Sequence, residues 1–297
     1  MSAQGVLLED DSALMEQVTV VIVTFNSAHC IEALATSLAD CPNLVIVDNG
    51  SEDDTLALVA QRITRARVIA LPENLGFGAA NNRALEISHT PFALLLNPDC
   101  IVQTAELLAL LRTARQWPAA AMVVPQITDV RGKPTLNYGW PRTRWKSRGP
   151  GAEGLVCVGN ACGAVMLLRL DLLTPQDWFD PRFFLYYEDE DLCLRLFNKQ
   201  LMVLLDPAVS VKHINRGSVR GRRPIYLEYL RGWHHAQSKI IFAQLHQGRT
   251  AAQRLWLCTL LVSMIHLLAR IILPSPKYIA RTWGRVRGLL SLPLHTG

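Results

Sequence analysis

Short apolar runs alternate with helix-forming segments over the first 116 residues of this 297-residue chain. The first run, Val18–Thr24, is unbroken and rich in β-branched residues, which is typical of a strand buried on both faces of a parallel sheet. Further strands are predicted at Leu44–Val47, Arg67–Leu71 and Phe92–Leu96. The segments between and after them predict helices at about 31–38, 53–63, 79–87 and 104–116. This alternation predicts an α/β fold with helices flanking a mostly parallel sheet.

Polar motifs follow two of these predicted strands directly. Asp48-Asn49-Gly50-Ser51 comes after the second strand, and Asn97-Pro98-Asp99 comes after the fourth. Ligands of open α/β sheets bind beyond the carboxyl ends of the strands, so we expect these motifs to lie close together in space. Each motif is also an ordinary turn sequence, so a purely structural role is the alternative.

The residue types in the two motifs indicate different ligands. A carboxylate only accepts hydrogen bonds, so Asp48 could hold the N–H of a pyrimidine ring or a ribose hydroxyl. Asn97 and Asp99 offer oxygen ligands of the kind that suit Mg²⁺ or Mn²⁺ bridging a diphosphate. Together the motifs predict a site for a nucleoside diphosphate.

A glycine-bearing loop, Asn74-Leu75-Gly76-Phe77-Gly78, precedes a predicted helix that contains Asn81. Glycines let the backbone approach a ligand closely, and a helix N-terminus favours phosphate. The loop lacks the G-x-G-x-x-G spacing and follows the third strand, which argues against a nicotinamide dinucleotide site. A glycine-dependent turn is the alternative.

Four consecutive acids, Glu188–Asp191, begin a predicted helix after the aromatic segment Phe183–Tyr187. Negative charge is stabilised at a helix N-terminus, so a capping role is one interpretation. Mutual repulsion and an apolar wall also raise the pKa of such acids, which suits a general base. His213 ends a short predicted strand. The presence of Asp99 and Asp189 makes it a candidate metal ligand or phosphate contact, and a structural role is the alternative.

The charge of the chain is strongly divided. Residues 212–297 contain 14 Lys and Arg against one acid, Glu228, for a charge of +13, whereas residues 1–211 carry −8. Within the basic part, Leu255–Leu273 has a single charged residue and could span a membrane by length. Its polar residues fall on one narrow stripe, Thr259, Ser263, His266 and Arg270. We therefore expect peripheral attachment to an anionic membrane surface, with a packed helix or a true span as alternatives.

Three regions follow from these patterns. Residues 1–17 are acidic and lack the features of a signal peptide, so a flexible lead-in is predicted there. Residues 18–220 form the α/β domain, and residues 221–297 form a helical basic region. The seven cysteines show no metal-binding spacing and suit a reducing, cytoplasmic location. Nucleic-acid binding is not expected, because the basic region contains no recognition motif.

Taken in order, the motifs resemble those of family 2 glycosyltransferases, specifically the rhamnosyltransferase-like branch that builds bacterial surface polysaccharides. The resemblance covers about residues 18–218. It rests on five segments, Val20–Ser27, Asp48–Ser51, Asn74–Gly78, Leu96–Asp99 and Tyr187–Cys193.

The resemblance implies a GT-A fold, a nucleotide-diphosphate sugar donor, a divalent metal (Mg²⁺ or Mn²⁺) and inversion at the anomeric carbon. By position it assigns Asp189, beside Glu188, as the catalytic base, and Asp99 and His213 as metal ligands. The residues that would bind the donor are Thr24, Asn26, Asp48, Asn74, Gly76, Asn81 and Asn97.

The expected activity is transfer of one sugar, L-rhamnose from dTDP-rhamnose, to a lipid-linked or polysaccharide acceptor at the inner face of a bacterial membrane. The Gln-x-x-Arg-Trp motif of processive synthases is absent, which favours a single addition. Asn97 replaces the first acid of the wider Asp-x-Asp motif, as is usual in this branch. The alternatives are transfer of another sugar from UDP, such as galactofuranose or an N-acetylhexosamine, and a catalytically silent scaffold.

Overall fold

The computed structural model describes residues 11–135, 138–139, 151–214 and 224–292. The described residues form two compact units. Residues 11–75, 80–178 and 192–214 make the first unit, and residues 76–79, 179–191 and 224–292 make the second. The second unit therefore contains the predicted basic region together with the segment around the four acids. The expected boundary at residue 220 did not include that segment.

The first unit is built on a mixed β-sheet. Its eleven strands, two of which pair in a small separate sheet, are β1 Val18–Thr24, β2 Leu44–Asp48, β3 Arg67–Ala70, β4 Phe92–Leu96, β5 Cys100–Ile101, β6 Ala120–Thr128, β7 Tyr138–Gly139, β8 Val156–Cys157, β9 Asn160–Ala161, β10 Val165–Arg169 and β11 Met202–His213. The main sheet has the order β3-β2-β1-β4-β10-β6-β11-β5, and β8 pairs with β11.

Helices complete the two units. They are α1 Asp11–Met15, α2 Ile31–Ser37, α3 Thr55–Arg62, α4 Phe77–Leu85, α5 Thr104–Gln116, α6 Glu188–Asn198, α7 Pro224–Gln247, α8 Arg249–Ile272 and α9 Pro276–Leu290. The boundary between the units falls within α4 and α6. Short 3₁₀ turns lie at Ala28–Cys30, Leu170–Leu172 and Pro175–Asp177.

The predicted parallel half of the sheet is present. Strands β3, β2, β1 and β4 are all parallel, and β1, β2 and β4 are almost entirely buried. In the register of β1 and β2, Thr24 lies opposite Asp48. The carboxyl ends of these strands therefore carry the polar motifs side by side, as expected for an open α/β sheet.

The other half of the sheet departs from the predicted alternation. Strand β10 is antiparallel to both β4 and β6, and β6 is parallel to β11. Strand β11 has a register shift between Asp206 and Ser210. A bulge of this kind interrupts the apolar alternation without ending the strand.

The expected flexible lead-in is wrong for its described part. Leu14 and Met15 of α1 are buried in the core, and Asp11 forms an ion pair with Arg112 of α5. Burial of the two apolar side chains fixes the segment against the unit. Residues 1–10 lie outside the described part of the chain.

The second unit is a three-helix arrangement of α7, α8 and α9 that also includes residues 76–79 and 179–191. Helices α7 and α9 approach each other closely because glycines stand at their contacts. A Cβ on Gly232 would lie 1.9 Å from the Arg281 carbonyl oxygen, and one on Gly284 would lie 2.0 Å from that of Tyr229. A small apolar core fills the space between the helices, formed by Ala236, Ile240, Ala243, Ala252 and Leu289.

Candidate active site

Asp48 is held at the end of β2 by its neighbours. Thr24 Oγ1 donates to Asp48 Oδ1 at 3.1 Å, and Ser51 donates through its hydroxyl at 2.6 Å and its backbone N–H at 3.0 Å. The residue is only 3% exposed. Three donors orient the carboxylate, and a carboxylate has about four acceptor positions, so capacity remains for one ligand hydrogen bond.

The loop after β1 is tied to the same motif. Asn26 has φ 50°, and its backbone N–H donates to Ser51 Oγ at 2.9 Å. Its side-chain oxygen accepts from the Glu52 N–H at 2.8 Å. The hydrogen bonds therefore join Thr24, Asn26 and Asp48 into one cluster through Ser51, a residue that the sequence-based assignment did not single out.

Asn74 is joined to this region by a side-chain clamp. Asn49 Nδ2 donates to Asn74 Oδ1 at 2.9 Å, and Asn49 Oδ1 accepts from the Leu75 N–H at 2.8 Å. Asn49 was not among the predicted site residues, although it lies inside the quoted motif. An amide that donates and accepts at once fixes the loop more firmly than a single contact would.

The loop requires glycine at position 76 for a structural reason. Gly76 has φ 89°, and a Cβ there would lie 2.2 Å from the Phe184 carbonyl oxygen. The Phe77 N–H also donates to that oxygen at 3.0 Å. Gly76 thus permits a close approach of two backbone segments, which agrees with the structural alternative stated above. Asn81, another predicted donor residue, is buried within α4.

Asp99 and His213 are brought together by strand pairing. His213 lies opposite Cys100 in the antiparallel pair of β5 and β11, and the Ile214 N–H donates to the Asp99 carbonyl at 3.0 Å. His213 Nε2 lies 3.3 Å from Asp99 Oδ1, and Asp99 is 3% exposed. Asn97, at the start of the same turn, donates its N–H to Ala164 at 2.9 Å.

The chemistry of this pair fits a divalent cation. A carboxylate oxygen is a ligand that Mn²⁺ and Mg²⁺ both accept, and the imidazole nitrogen suits the transition metal Mn²⁺ better than the harder Mg²⁺. The Cys100 thiol is also nearby, but burial and the Asp99 charge raise its pKa well above the ordinary value. In the metal-free chain the Cys100 thiol is therefore protonated.

Glu188 and Asp189 begin α6, and the backbone before them is unusual. Tyr186 and Tyr187 have φ of 71° and 68°, two consecutive left-handed residues that are not glycine. Such conformations cost on the order of 1–3 kcal/mol each and concentrate at functional sites. The strained turn presents Glu188 and Asp189 at the helix N-terminus, where both are buried.

The acids of this segment suppress each other's ionisation. Burial and the Asp189 charge raise the pKa of Glu188 well above its usual range, and the same two causes raise the pKa of Glu190 to about 8. A raised pKa favours the neutral form of each glutamate and so lowers the negative charge around Asp189. This agrees with the expectation that some acids in the motif have a raised pKa.

Asp191, the last of the four acids, has a different partner. His246 Nε2 of α7 lies 2.8 Å from Asp191 Oδ1, and the Asp191 side chain is almost completely buried. The ring of His246 also packs on Phe242. His246 lies 55 residues away in the sequence, so no local pattern could have indicated this contact.

The comparisons with known proteins agree with this fold and these motifs. Residues 19–172 match the family description "Glycosyl transferase family 2". The N-acetylglucosaminyl-diphospho-decaprenol L-rhamnosyltransferase of Mycobacterium tuberculosis is 29% identical over 80% of this chain and 87% of its own length.

Solved structures show the same architecture. The mannosyltransferase PcManGT from Pyrobaculum calidifontis, in complex with GDP-Man and Mn²⁺, has a TM-score of 0.55 and 17% identity, over 92% of this chain and 84% of that one. S. aureus TarS 1–349 with UDP has a TM-score of 0.53 and 20% identity, over 67% and 60%. The fold is therefore GT-A, as predicted, and the matched residues cover more than half of the sequence. The chain belongs to glycosyl transferase family 2 and is a glycosyltransferase.

Proposed function

We propose that this glycosyltransferase moves L-rhamnose from dTDP-rhamnose to a lipid-linked acceptor with inversion at the anomeric carbon. The observation that carries the proposal is the similarity to a mycobacterial L-rhamnosyltransferase over 80% of the chain and 87% of that relative. The name of that relative specifies a lipid diphosphate acceptor. Because the match covers most of both chains, it favours a shared reaction type over a shared fold alone.

The donor nucleoside is assigned to Thr24, Asn26 and Asp48. The hydrogen bonds from Thr24 and Ser51 support this, because they orient the Asp48 carboxylate before any ligand binds. An acceptor-only group suits the ring N–H of thymine or uracil, so dTDP and UDP are preferred over GDP. The other donor contacts come from Asn74, Gly76, Asn81 and Asn97.

Asp99 and His213 would hold Mg²⁺ or Mn²⁺. Their separation of 3.3 Å and their donor chemistry support this assignment, and PcManGT is a GT-A relative in fold that contains Mn²⁺. When bound, the cation would offset negative charge on the leaving diphosphate.

Asp189 acts as the general base in this proposal. The acceptor hydroxyl oxygen forms a bond to the anomeric carbon on the face opposite the diphosphate, and the bond from that carbon to the diphosphate oxygen breaks. The proton of the hydroxyl goes to the Asp189 carboxylate. Burial of Asp189 limits its contacts with water, and the raised pKa of Glu188 favours a neutral neighbour beside it.

Attachment to the membrane is assigned to α8. Among the described residues, one helix segment, Arg249–Arg270, is long and apolar enough to cross a membrane by length and composition. The predicted polar stripe turns partly inward, because Ser263 is buried and Thr259 accepts a hydrogen bond from Lys239 Nζ at 3.1 Å.

The apolar stripe of the same helix faces outward. Its exposed residues include Leu257, Leu261, Ile265, Leu268 and Ile272. Ile265 and Leu268 are each 63% exposed. An outward apolar face on a basic helical unit fits the acyl boundary of an anionic bilayer, which favours a peripheral enzyme at the cytoplasmic face.

A transfer assay tests the reaction directly. The full-length protein, in detergent or with vesicles, is given N-acetylglucosaminyl diphosphoprenol and dTDP-L-rhamnose, UDP-galactofuranose or UDP-N-acetylglucosamine, and products are identified by mass. Rhamnose addition at a rate well above those of the other donors is expected. Preference for a UDP sugar would establish the first alternative, and donor binding without transfer from any donor would establish the silent scaffold.

A further inference from the structure

Two half-buried cations of the second unit have no acidic partner in the described chain. They are Lys239 of α7 and Arg285 of α9. Within residues 11–135, 138–139, 151–214 and 224–292, neither lies within ion-pair distance of a carboxylate, and the hydrogen bond recorded for Lys239 goes to the neutral Thr259 hydroxyl. A charge taken partly out of water without a counter-ion is unfavourable, so the arrangement needs a reason.

The neighbouring cations show the contrast. The buried carboxylate of Glu228 accepts from Arg231 at 2.7 Å and from Arg281, and Lys277 lies 4.0 Å away. Arg285 lies one helical turn beyond Arg281 on the same face of α9. Three cations therefore share the carboxylate of Glu228 as an ion-pair partner, whereas Lys239 and Arg285 have no such partner among the described residues.

Helix packing places the backbone of Arg285 against α7, where a Cβ on Gly232 would lie 3.1 Å from the Arg285 nitrogen. The close approach of α7 and α9 at Gly232 and Gly284 continues at Gly288, where a Cβ would lie 2.6 Å from the Trp233 carbonyl oxygen. Arg285 lies between the two α9 glycines in sequence, and Lys239 lies two turns beyond Gly232. Larger residues at these positions would separate the helices, so the approach of Arg285 to the face of α7 that carries Gly232, His235 and Lys239 is built into the fold.

The electrostatic potential around Lys239 and Arg285 is positive. Burial and the charge of Arg285 lower the pKa of Lys239, and burial and the charge of Arg281 lower the pKa of Arg285. Burial, together with Arg285, Lys239 and Arg281, lowers the pKa of His235 to about 4, so this ring is neutral. The Cys258 thiol is the other titratable group beside Lys239.

Tyr187, two residues before the proposed base Asp189, lies against the same face of α7. The ring of Tyr187 contacts that of His235, with centroids 5.5 Å apart, and His235 lies one helical turn before Lys239 on α7. Burial raises the pKa of Tyr187 to about 12, so its hydroxyl remains a hydrogen-bond donor. Glu190 is the acid near Tyr187, and its pKa of about 8 keeps it largely protonated at neutral pH.

We propose that Lys239 and Arg285, with the Tyr187 hydroxyl, bind the diphosphate of the lipid-linked acceptor. A planar guanidinium pairs with two phosphate oxygens, and an ammonium adds a point charge, which together suit a dianionic group more than a single carboxylate. The sugar that carries the accepting hydroxyl is attached to this diphosphate. Anchoring the diphosphate beside Tyr187 would therefore bring that sugar to Asp189, two residues further on. The inference rests on the lipid-diphosphate acceptor of the proposed function.

Binding of farnesyl diphosphate is the direct test. Full-length protein in detergent is titrated in EDTA, which prevents metal-dependent binding of the diphosphate at the donor site. Lys239→Gln and Arg285→Gln should each weaken binding by roughly ten-fold or more, because each removes a charge-assisted hydrogen bond. The matched control is Arg287→Gln, which removes an exposed charge from the same helix. Equal affinities in all three variants, or equally tight binding of farnesol, would overturn the inference.

Two further measurements identify the source of the phosphate. Binding to phosphatidylglycerol vesicles should be similar in Arg285→Gln and Arg287→Gln, and a selective loss in Arg285→Gln would indicate a lipid headgroup site instead. In the transfer assay, Lys239→Gln and Arg285→Gln should raise KM for the acceptor and leave KM for the donor unchanged. A raised donor KM would instead assign these cations to the leaving nucleotide.

Failure of this inference is distinguishable from failure of the proposed function. If the wild type transfers rhamnose and the two variants do so with an unchanged acceptor KM, the proposed function stands and the diphosphate site is wrong. If the wild type transfers no sugar but binds farnesyl diphosphate through Lys239 and Arg285, the site stands without the reaction. Thermal stability of both variants should equal or exceed that of the wild type, because each change relieves repulsion between cations.

Discussion

Asp189 lies between two glutamates, and burial rather than sequence alone sets their charge. Glu188 and Glu190 both have a raised pKa because each is desolvated and lies next to Asp189. The four-acid sequence indicated repulsion, but it could not indicate which acids are buried. The strained turn at Tyr186 and Tyr187 positions the acids and so decides which of them are buried, and the sequence does not predict this turn.

Replacing Asp189 by Asn tests the general base. The amide cannot take the acceptor proton, so kcat should fall by about 10²–10⁴-fold. Calorimetric affinity for the donor nucleotide should change by less than about two-fold, because Asp189 is assigned no donor contact. A kcat within a few-fold of the wild type would exclude Asp189 as the base.

Replacing Glu190 by Gln tests the charge state of the segment. An unfolded glutamate ionises near its ordinary pKa of about 4.3, whereas Glu190 holds its proton in the fold until about pH 8. The folded state therefore binds more protons, and its stability falls as pH rises through this window. Gln keeps the neutral form, so its Tm advantage over the wild type should grow from pH 5 to pH 9.

Glu153→Gln is the control for that experiment, because Glu153 is an exposed loop carboxylate. Its Tm difference from the wild type should be nearly constant over the same pH range. A constant difference for Glu190→Gln as well would show that Glu190 is not held protonated.

At the scale of elements, regular patterns were predictable and long-range pairings were not. The bounds of β1 and α5 agree with the sequence-based prediction, because β1 is an unbroken apolar run and the apolar residues of α5 follow the helical period. Strand β6 was missed, since Pro125 in its middle argues against a central strand. The proximity of Asp99 and His213 depends on the antiparallel pairing of β5 and β11, which are 100 residues apart. Local sequence carries no information on that pairing.

Helix packing in the second unit gives a prediction at this scale. Gly284→Ala would place a methyl group 2.0 Å from the Tyr229 carbonyl oxygen, so α7 and α9 must separate. We expect a loss of roughly 1–3 kcal/mol in the free energy of unfolding, measured with urea. Gly154→Ala is the matched control, because an added Cβ there meets nothing within 4 Å. Equal stability of the two variants would contradict the close packing.

At the scale of the whole molecule, the charge division follows the division into units. The basic residues 212–297 contribute most of the second unit, and the acidic part of the sequence contributes the sheet and its strand-end motifs. Composition could predict a basic helical region. It could not predict that the polar stripe of α8 turns partly inward at Thr259 and Ser263 and exposes the leucines and isoleucines.

The outward face of α8 gives the prediction for membrane attachment. The triple variant Leu261→Gln, Ile265→Gln and Leu268→Gln should reduce co-flotation with phosphatidylglycerol vesicles by about ten-fold, because it removes apolar area from the lipid contact. The control carries Leu56→Gln and Leu155→Gln, which alter exposed apolar residues of the first unit. Equal flotation of the two proteins would assign the attachment elsewhere.

Nucleotide binding tests the central claim of a metal-assisted donor site. Calorimetry would compare dTDP, UDP and GDP, each with and without Mn²⁺, on the wild type and on Asp99→Ala. We expect dTDP or UDP to bind more tightly than GDP. Mn²⁺ should strengthen this binding by at least about ten-fold, and Asp99→Ala should abolish the gain from Mn²⁺. Absence of binding by every nucleotide in the wild type, or an unchanged gain from Mn²⁺ in Asp99→Ala, would contradict it.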